Sequence, residues 1–229
     1  MAAILARAAL IDLDGTLLDT APDLAAAANA TLAELGRPGL PVETVRDFVG
    51  QGIAHLLRRS LEASTGTAAA DGVFEAAFAR FAGHYGRLNG AAARPFEGVL
   101  EGLADMRAIG LRLACVTNKV ARFTEPLLLA SGLRAYFDAV VTSDSAGARK
   151  PDPAIFLDAC RQLDVPPEEA CVIGDSANDA EGARAAGCRF LLVPYGYREG
   201  RGLREIESDG IVATLREAAK LLRIPRSPP

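Results

Sequence analysis

No stretch of the chain holds the roughly 18 consecutive apolar residues that a membrane-spanning helix needs, so no membrane span is expected. The opening residues 1–10 are apolar but interrupted by Arg7, and they run into Asp12 and Asp14. Without a basic stretch ahead of a longer apolar one, they do not read as a secretion signal. The four cysteines, at 115, 160, 171 and 188, form no CxxC and match no zinc-ligand spacing. Cys115 and Cys171 sit in apolar runs and read as buried thiols. A reducing cytoplasm is therefore the expected location. Basic charge is in deficit, with a formal net charge of −4 and a pI near 5.3. Nucleic acid needs a basic surface, so no nucleic-acid partner is expected, although one local basic pocket would suffice for a phosphate ester. No GxxxxGK occurs, which leaves nucleotide binding through a phosphate loop unsupported. The two histidines, His55 and His84, lie on helical segments beside apolar residues and read as packed or solvated groups.

Half of the 229 residues are hydrophobic, enough for one large domain or one that carries a smaller one. Residues 8–13 form an apolar run that ends in aspartates and reads as a buried strand feeding a loop. From residue 20 to 88 the periodicity is helical. Phe74, Phe78, Phe81, Tyr85 and Leu88, for example, form a stripe at i, i+4, i+7, i+11 and i+14. After residue 95 helices and strands alternate, with strands expected at 111–116, 139–142, 170–173, 189–193 and 211–212. This alternation predicts an α/β fold, a doubly wound parallel-sheet, Rossmann-like core. The helical stretch reads as an inserted all-helical cap, which assigns residues 1–18 and 90–229 to the core and 19–89 to the cap.

Ligands of open parallel sheets bind beyond the carboxyl ends of the strands, and four chemically capable groups fall there. Asp12 and Asp14 are two residues apart, so on extended chain both carboxylates point one way and repel unless a cation or shared proton relieves them. Solvated turn aspartates are the alternative. Thr117 and Asn118 follow a strand at a helix start, where hydroxyl and N–H groups can hold phosphoryl oxygens or simply cap the helix. Lys150 precedes Pro151-Asp152-Pro153 and is either a held phosphate counter-charge or a surface lysine. Asp175 ends an apolar strand, where it could bind a hard cation. Asp179 is four residues on, where helix-dipole complementation is the plainer reading.

At these positions the chain resembles the haloacid dehalogenase-like phosphatase superfamily. The matching stretches are Asp12-Leu-Asp-Gly-Thr-Leu-Leu-Asp-Thr20, Val116-Thr-Asn-Lys119, Lys150-Pro-Asp-Pro153 and Gly174-Asp-Ser-Ala-Asn-Asp179, in the family's order. The resemblance implies that Asp12 is a nucleophile forming an aspartyl phosphate and that Asp14 is the general acid and base. It also implies that Thr117, Asn118 and Lys150 bind the phosphoryl group. Mg²⁺ would be held by Asp12, the Asp14 backbone carbonyl and Asp175, with Asp179 acting through water or orienting Lys150. The implied partner is a small phosphorylated metabolite. The cap stretch 48–61 and Tyr195-Gly196-Tyr197 resemble the phosphoglycolate phosphatase branch, with Gly50-Gln51-Gly52 facing the site. Arg46 or Arg58 would meet a substrate carboxylate. A phosphatase of a sugar phosphate such as N-acetylmuramic acid 6-phosphate, and a phosphosugar mutase, are the alternatives.

Overall fold

The computed structural model describes residues 3–68, 71–198 and 200–225. In chain order its elements are β1 (Ile4–Leu5), β2 (Ala8–Ile11), β3 (Leu18–Asp19), α1 (Ala21–Glu34), α2 (Val42–Arg46), α3 (Ile53–Thr65), α4 (Asp71–Leu88), β4 (Arg94–Pro95), α5 (Val99–Ala108) and β5 (Arg112–Thr117). They continue with α6 (Ala121–Ala130), β6 (Ala139–Thr142), α7 (Ala154–Leu163), β7 (Ala170–Gly174), α8 (Ala177–Ala186), β8 (Arg189–Leu192), β9 (Gly210–Ile211), α9 (Leu215–Leu221) and β10 (Leu222–Arg223).

The main sheet runs β6-β5-β2-β7-β8-β9, and every neighbouring pair is parallel. Alternation along β2 explains why both faces are covered. Ala9 and Ile11 face a cluster with Val99, Leu103, Met106 and Leu215, from α5 and α9. Ala8 and Leu10 face the opposite cluster with Ile155, Phe156, Ala180 and Ala183, from α7 and α8. Such two-sided burial is the condition for an all-parallel sheet. The chain goes from β2 to one side for β5 and β6, then crosses to the other for β7 and β8. This places the switch point of the sheet at the carboxyl end of β2. The expected doubly wound sheet is the one found. β2 ends at Ile11, earlier than the expected 8–13, so both aspartates lie on the loop beyond it.

Helices α1–α4 pack around a cluster of their own, with Leu24, Leu32, Val45, Leu57, Phe81 and Tyr85 at its centre, and Phe123 and Tyr197 reach it from the sheet side. The chain enters this helical insertion through β3 and leaves it through β4, which pair antiparallel, Leu18 opposite Pro95 and Asp19 opposite Arg94. One carboxylate ties the crossing together. Asp23, in the first turn of α1, accepts backbone N–H bonds from Gly90 at 2.8 Å, Ala92 at 2.7 Å and Ala93 at 3.2 Å. Among the described residues no helix is long and apolar enough to cross a membrane.

Asp23→Ala would leave those three N–H groups without their acceptor in a site where the side chain is 3% exposed. We expect a loss of about 2–4 kcal/mol in stability, read by urea unfolding. A loss below about 0.5 kcal/mol would mean that the crossing is held by β3–β4 pairing alone.

Candidate active site

The carboxyl ends of β2, β5 and β7 and the loop before α7 converge on one cavity roofed by α1, α3 and residues 49–52. Its lining includes Asp12, Asp14, Thr117, Asn118, Lys119, Lys150, Asp175, Asp179 and Tyr197. The cavity volume is about 40 Å³, room for a few water molecules.

Lys150 stands at the centre. It is 4% exposed, and its Nζ donates to Asp12 Oδ1, to Asp179 Oδ1 at 2.8 Å and to the Val116 carbonyl at 2.9 Å. An ammonium has three donors, and all three are used. The Lys150 backbone is fixed as well, because its N–H donates to Asn118 Oδ1 at 2.8 Å. Burial alone would lower the pKa of Lys150, but Asp12 and Asp179 beside it push it above the usual lysine range, so it stays charged.

Asp179 is the N3 residue of α8 and closes a capping box with Ser176. The box turns one carboxylate oxygen to the helix start and the other to Lys150. Asp175 accepts from Thr16 Oγ1 at 2.9 Å and from the Tyr197 backbone N–H. It makes no ion pair among the described residues. The backbone passes very close to it: a Cβ at Gly196 would lie 2.3 Å from both its Cβ and its Oδ2. One at Gly15, where φ is +94°, would lie 2.3 Å from Oδ2. Glycine at these two positions lets the chain close round the carboxylate.

Asp12, Asp175 and Asp179, all buried, each bring a carboxylate oxygen within 4.8 Å of the others. Burial, reinforced by Asp179 and Asp14 and opposed by Lys150, pushes Asp12 up to about 7. Burial and the charges of Asp12 and Asp179 push Asp175 well above the ordinary carboxylate range. One lysine faces three carboxylates here, and Asp175 has none to itself. An all-oxygen, electron-rich donor set of this kind suits a hard divalent cation.

The structure brings together Asp12, Asp14, Thr117, Asn118, Lys150, Asp175 and Asp179. The side chains of Asp12 and Asp14 diverge, however. Asp14 Oδ1 accepts from Thr20 Oγ1 at 2.6 Å and from Lys119 Nζ at 2.7 Å. The Asn118 side chain is engaged between loops, donating to the Gly50 carbonyl at 2.8 Å and the Lys150 carbonyl at 3.1 Å. Gly50 lines the cavity, whereas Arg46 and Gln51 are not among its lining residues. Arg46 pairs with Asp19 at 3.8 Å and stands over the Tyr197 ring at 5.8 Å. Arg58 stacks on Phe74 at 3.9 Å.

Sequence reasoning assigned no part to Lys119 or to the Tyr197 side chain. Lys119 lies in a stretch already singled out, and the apolar context of residues 111–120 was a signal that its ammonium would be buried. The Tyr197 hydroxyl accepts from the backbone N–H groups of Thr20 at 2.8 Å and Ala21 at 3.0 Å, and donates to Asp19 at 2.5 Å. One tyrosine thus joins the metal-ligand candidate Asp175, through its own N–H, to the start of α1.

The family described as haloacid dehalogenase-like hydrolase matches residues 6–187. The chain is 46% identical to a phosphoglycolate phosphatase of Thiobacillus denitrificans over 94% of this chain and 95% of that one. It is 48% identical to one of Nitrosospira multiformis over 95% and 96%. A solved structure from Haemophilus somnus, described as a predicted phosphoglycolate phosphatase, is similar with a TM-score of 0.89. It is 28% identical and covers 94% of this chain and 97% of that one.

The crowding of carboxylates fixes the sign of a pH effect. Carboxyls with raised folded pKa values favour folding below those values, and that contribution is lost as pH rises through them, near 7 for Asp12. A divalent ion restores it once the protons have left. Added Mg²⁺ is therefore expected to raise the melting temperature more at pH 8 than at pH 5.5. An equal shift at both, or none, would count against an ion on these carboxylates.

Proposed function

The chain belongs to the haloacid dehalogenase-like hydrolase family, and on that footing we propose that it is a Mg²⁺-dependent phosphatase of a small phosphate monoester, 2-phosphoglycolate in the first place. The relatives at 46% and 48% identity carry that activity in their names. The observation that carries the reading is the buried Asp12–Lys150–Asp179 constellation, with Asp175 beside it, in one cavity.

In the proposed reaction the Asp12 carboxylate attacks phosphorus, and the bond to the ester oxygen breaks. Asp14 gives that oxygen its proton, so that glycolate leaves as the alcohol. Asp14 then takes a proton from the water that attacks the aspartyl phosphate, releasing inorganic phosphate and regenerating Asp12. Thr117 and the Asn118 loop hold phosphoryl oxygens. Lys150 places its charge between Asp12 and the incoming group, which lowers the repulsion between an anionic nucleophile and an anionic ester. A Mg²⁺ held by Asp12, Asp175 and the Asp14 backbone carbonyl, with Asp179 close by, would add a second positive charge at the same place.

The helical insertion, residues 19–89, serves as a cap. With about 40 Å³ free, a substrate is admitted by its movement away from the core, about β3 and β4. Its return excludes water.

Asp12→Asn is expected to reduce turnover by at least about 10³-fold while the protein stays folded. EDTA is expected to abolish activity, and Mg²⁺ to restore it. The reading is tested by a panel of phosphate monoesters with Mg²⁺ present. The highest kcat/KM is expected for 2-phosphoglycolate, with stoichiometric phosphate release. A clear preference for a sugar phosphate such as N-acetylmuramic acid 6-phosphate would replace the substrate, and isomerisation without phosphate release would indicate a mutase.

A further inference from the structure

Lys119, Lys150 and Lys220 are the only lysines of the chain, and two of the three lie in this cavity. Lys150 is fully engaged, but Lys119 is not. It is 5% exposed, and its Nζ donates to Asp14 Oδ1 at 2.7 Å and to the Tyr85 hydroxyl at 2.7 Å. No third acceptor for the ammonium exists among the described residues. The Tyr85 hydroxyl, fully buried on α4 of the helical insertion, accepts from Lys119, and its own proton likewise finds no acceptor among them. Lys119, on the β5–α6 loop of the core, thus keeps one N–H to spare at the cavity, and Tyr85, which holds it from the insertion without lining the cavity itself, keeps its own proton to spare. Unmet donors at a buried cation mark a place for an anion.

The location of these donors says which part of a substrate they face. If Asp14 passes its proton to the leaving oxygen, that oxygen sits against the Asp14 carboxyl, and so beside Lys119. In a 2-phosphorylated carboxylate the carboxyl group is attached to the carbon that bears the leaving oxygen. It therefore arrives next to Asp14 as well, where an anion would be repelled without a cation. The phosphoryl end is served by Lys150, so Lys119 is the cation left for the other end.

We propose that Lys119, held in place by the Tyr85 hydroxyl, binds the substrate's carboxylate and selects phosphate esters that carry an anionic group beside the leaving oxygen. The inference deepens the phosphoglycolate reading and rests on it. It moves carboxylate recognition from the arginines of the helical insertion to a lysine of the core loop. Neither Arg46, which pairs with Asp19, nor Arg58, which stacks on Phe74, is among the residues that line the cavity. Lysine suits the task because its point charge can face Asp14, Tyr85 and a third oxygen at once.

The test compares 2-phosphoglycolate with ethyl phosphate, the same ester with a methyl group in place of the carboxylate, and reads the ratio of their kcat/KM values. For the wild type the ratio should favour 2-phosphoglycolate strongly. In Lys119→Met the ratio is expected to fall roughly 30-fold or more, in Tyr85→Phe several-fold, and in Lys119→Arg to be largely kept. Because Lys119 also touches Asp14, turnover of both esters can fall together. The same ratio is therefore read as dissociation constants on Asp12→Asn and on the double variant Asp12→Asn with Lys119→Met. An unchanged ratio in both measurements overturns the proposal and leaves Lys119 as a residue that only orients Asp14. A wild type that hydrolyses the two esters equally overturns the substrate reading instead, and the carboxylate role with it.

Discussion

A buried ammonium joined to two carboxylates and a main-chain carbonyl is the interaction on which the rest of this site depends. Charges so deeply buried cost several kcal/mol each unless they are paired and fully hydrogen-bonded. Lys150 meets that condition through Asp12, Asp179 and the carbonyl of Val116, on three different parts of the core. Its position follows from the sheet. β2 and β7 are neighbours, so Asp12 and Asp175 emerge side by side, and the turn into α8 returns Asp179 to the same place. The lysine offsets part of this negative charge. The part it leaves, centred on Asp175, is where a divalent ion fits.

Beside the Lys119–Tyr85 and Thr20–Asp14 bonds, Asn118 and Tyr197 couple the helical insertion to that centre. Asn118 holds the loop containing Gly50 with one hand and the Lys150 loop with the other. Tyr197 donates its backbone N–H to Asp175, and its hydroxyl oxygen accepts from the N–H groups of Thr20 and Ala21 at the start of α1. Movement of the insertion would therefore act directly on the residues that position Asp12 and Asp175, the proposed nucleophile and metal ligand. In the proposed reaction such a link would help keep premature water from the aspartyl phosphate.

Much of this was legible in the sequence because strong local signals agreed with one another. Apolar runs such as 111–116 and 170–173 could only be buried strands once helices alternated with them, and the carboxylates followed at their ends. The two-residue ribbons β1–β10 and β3–β4 left no trace, since a pair of residues has no periodicity. The role of Asp23 has no local signal, because nothing near it shows that the chain returns to it some 70 positions later. The family resemblance offers Arg46 and Gln51 as candidates for the cavity, but within Gly50-Gln51-Gly52 only the glycines line it, and Arg46 does not. A surface arginine and a site arginine look alike until the helix face is known. Lys119 was missed for the opposite reason: its role depends on Asp14 and Tyr85, 105 and 34 residues away.

The central claim is that Asp12, held by Lys150, takes the phosphoryl group covalently. Rapid acid quench of the wild-type protein during turnover of 2-phosphoglycolate, followed by proteolysis and mass spectrometry, reads this directly. A phosphoryl group is expected on the peptide that contains Asp12, at Asp12 itself. Steady phosphate release with that peptide unmodified at every quench time would contradict it and would point to direct attack by water.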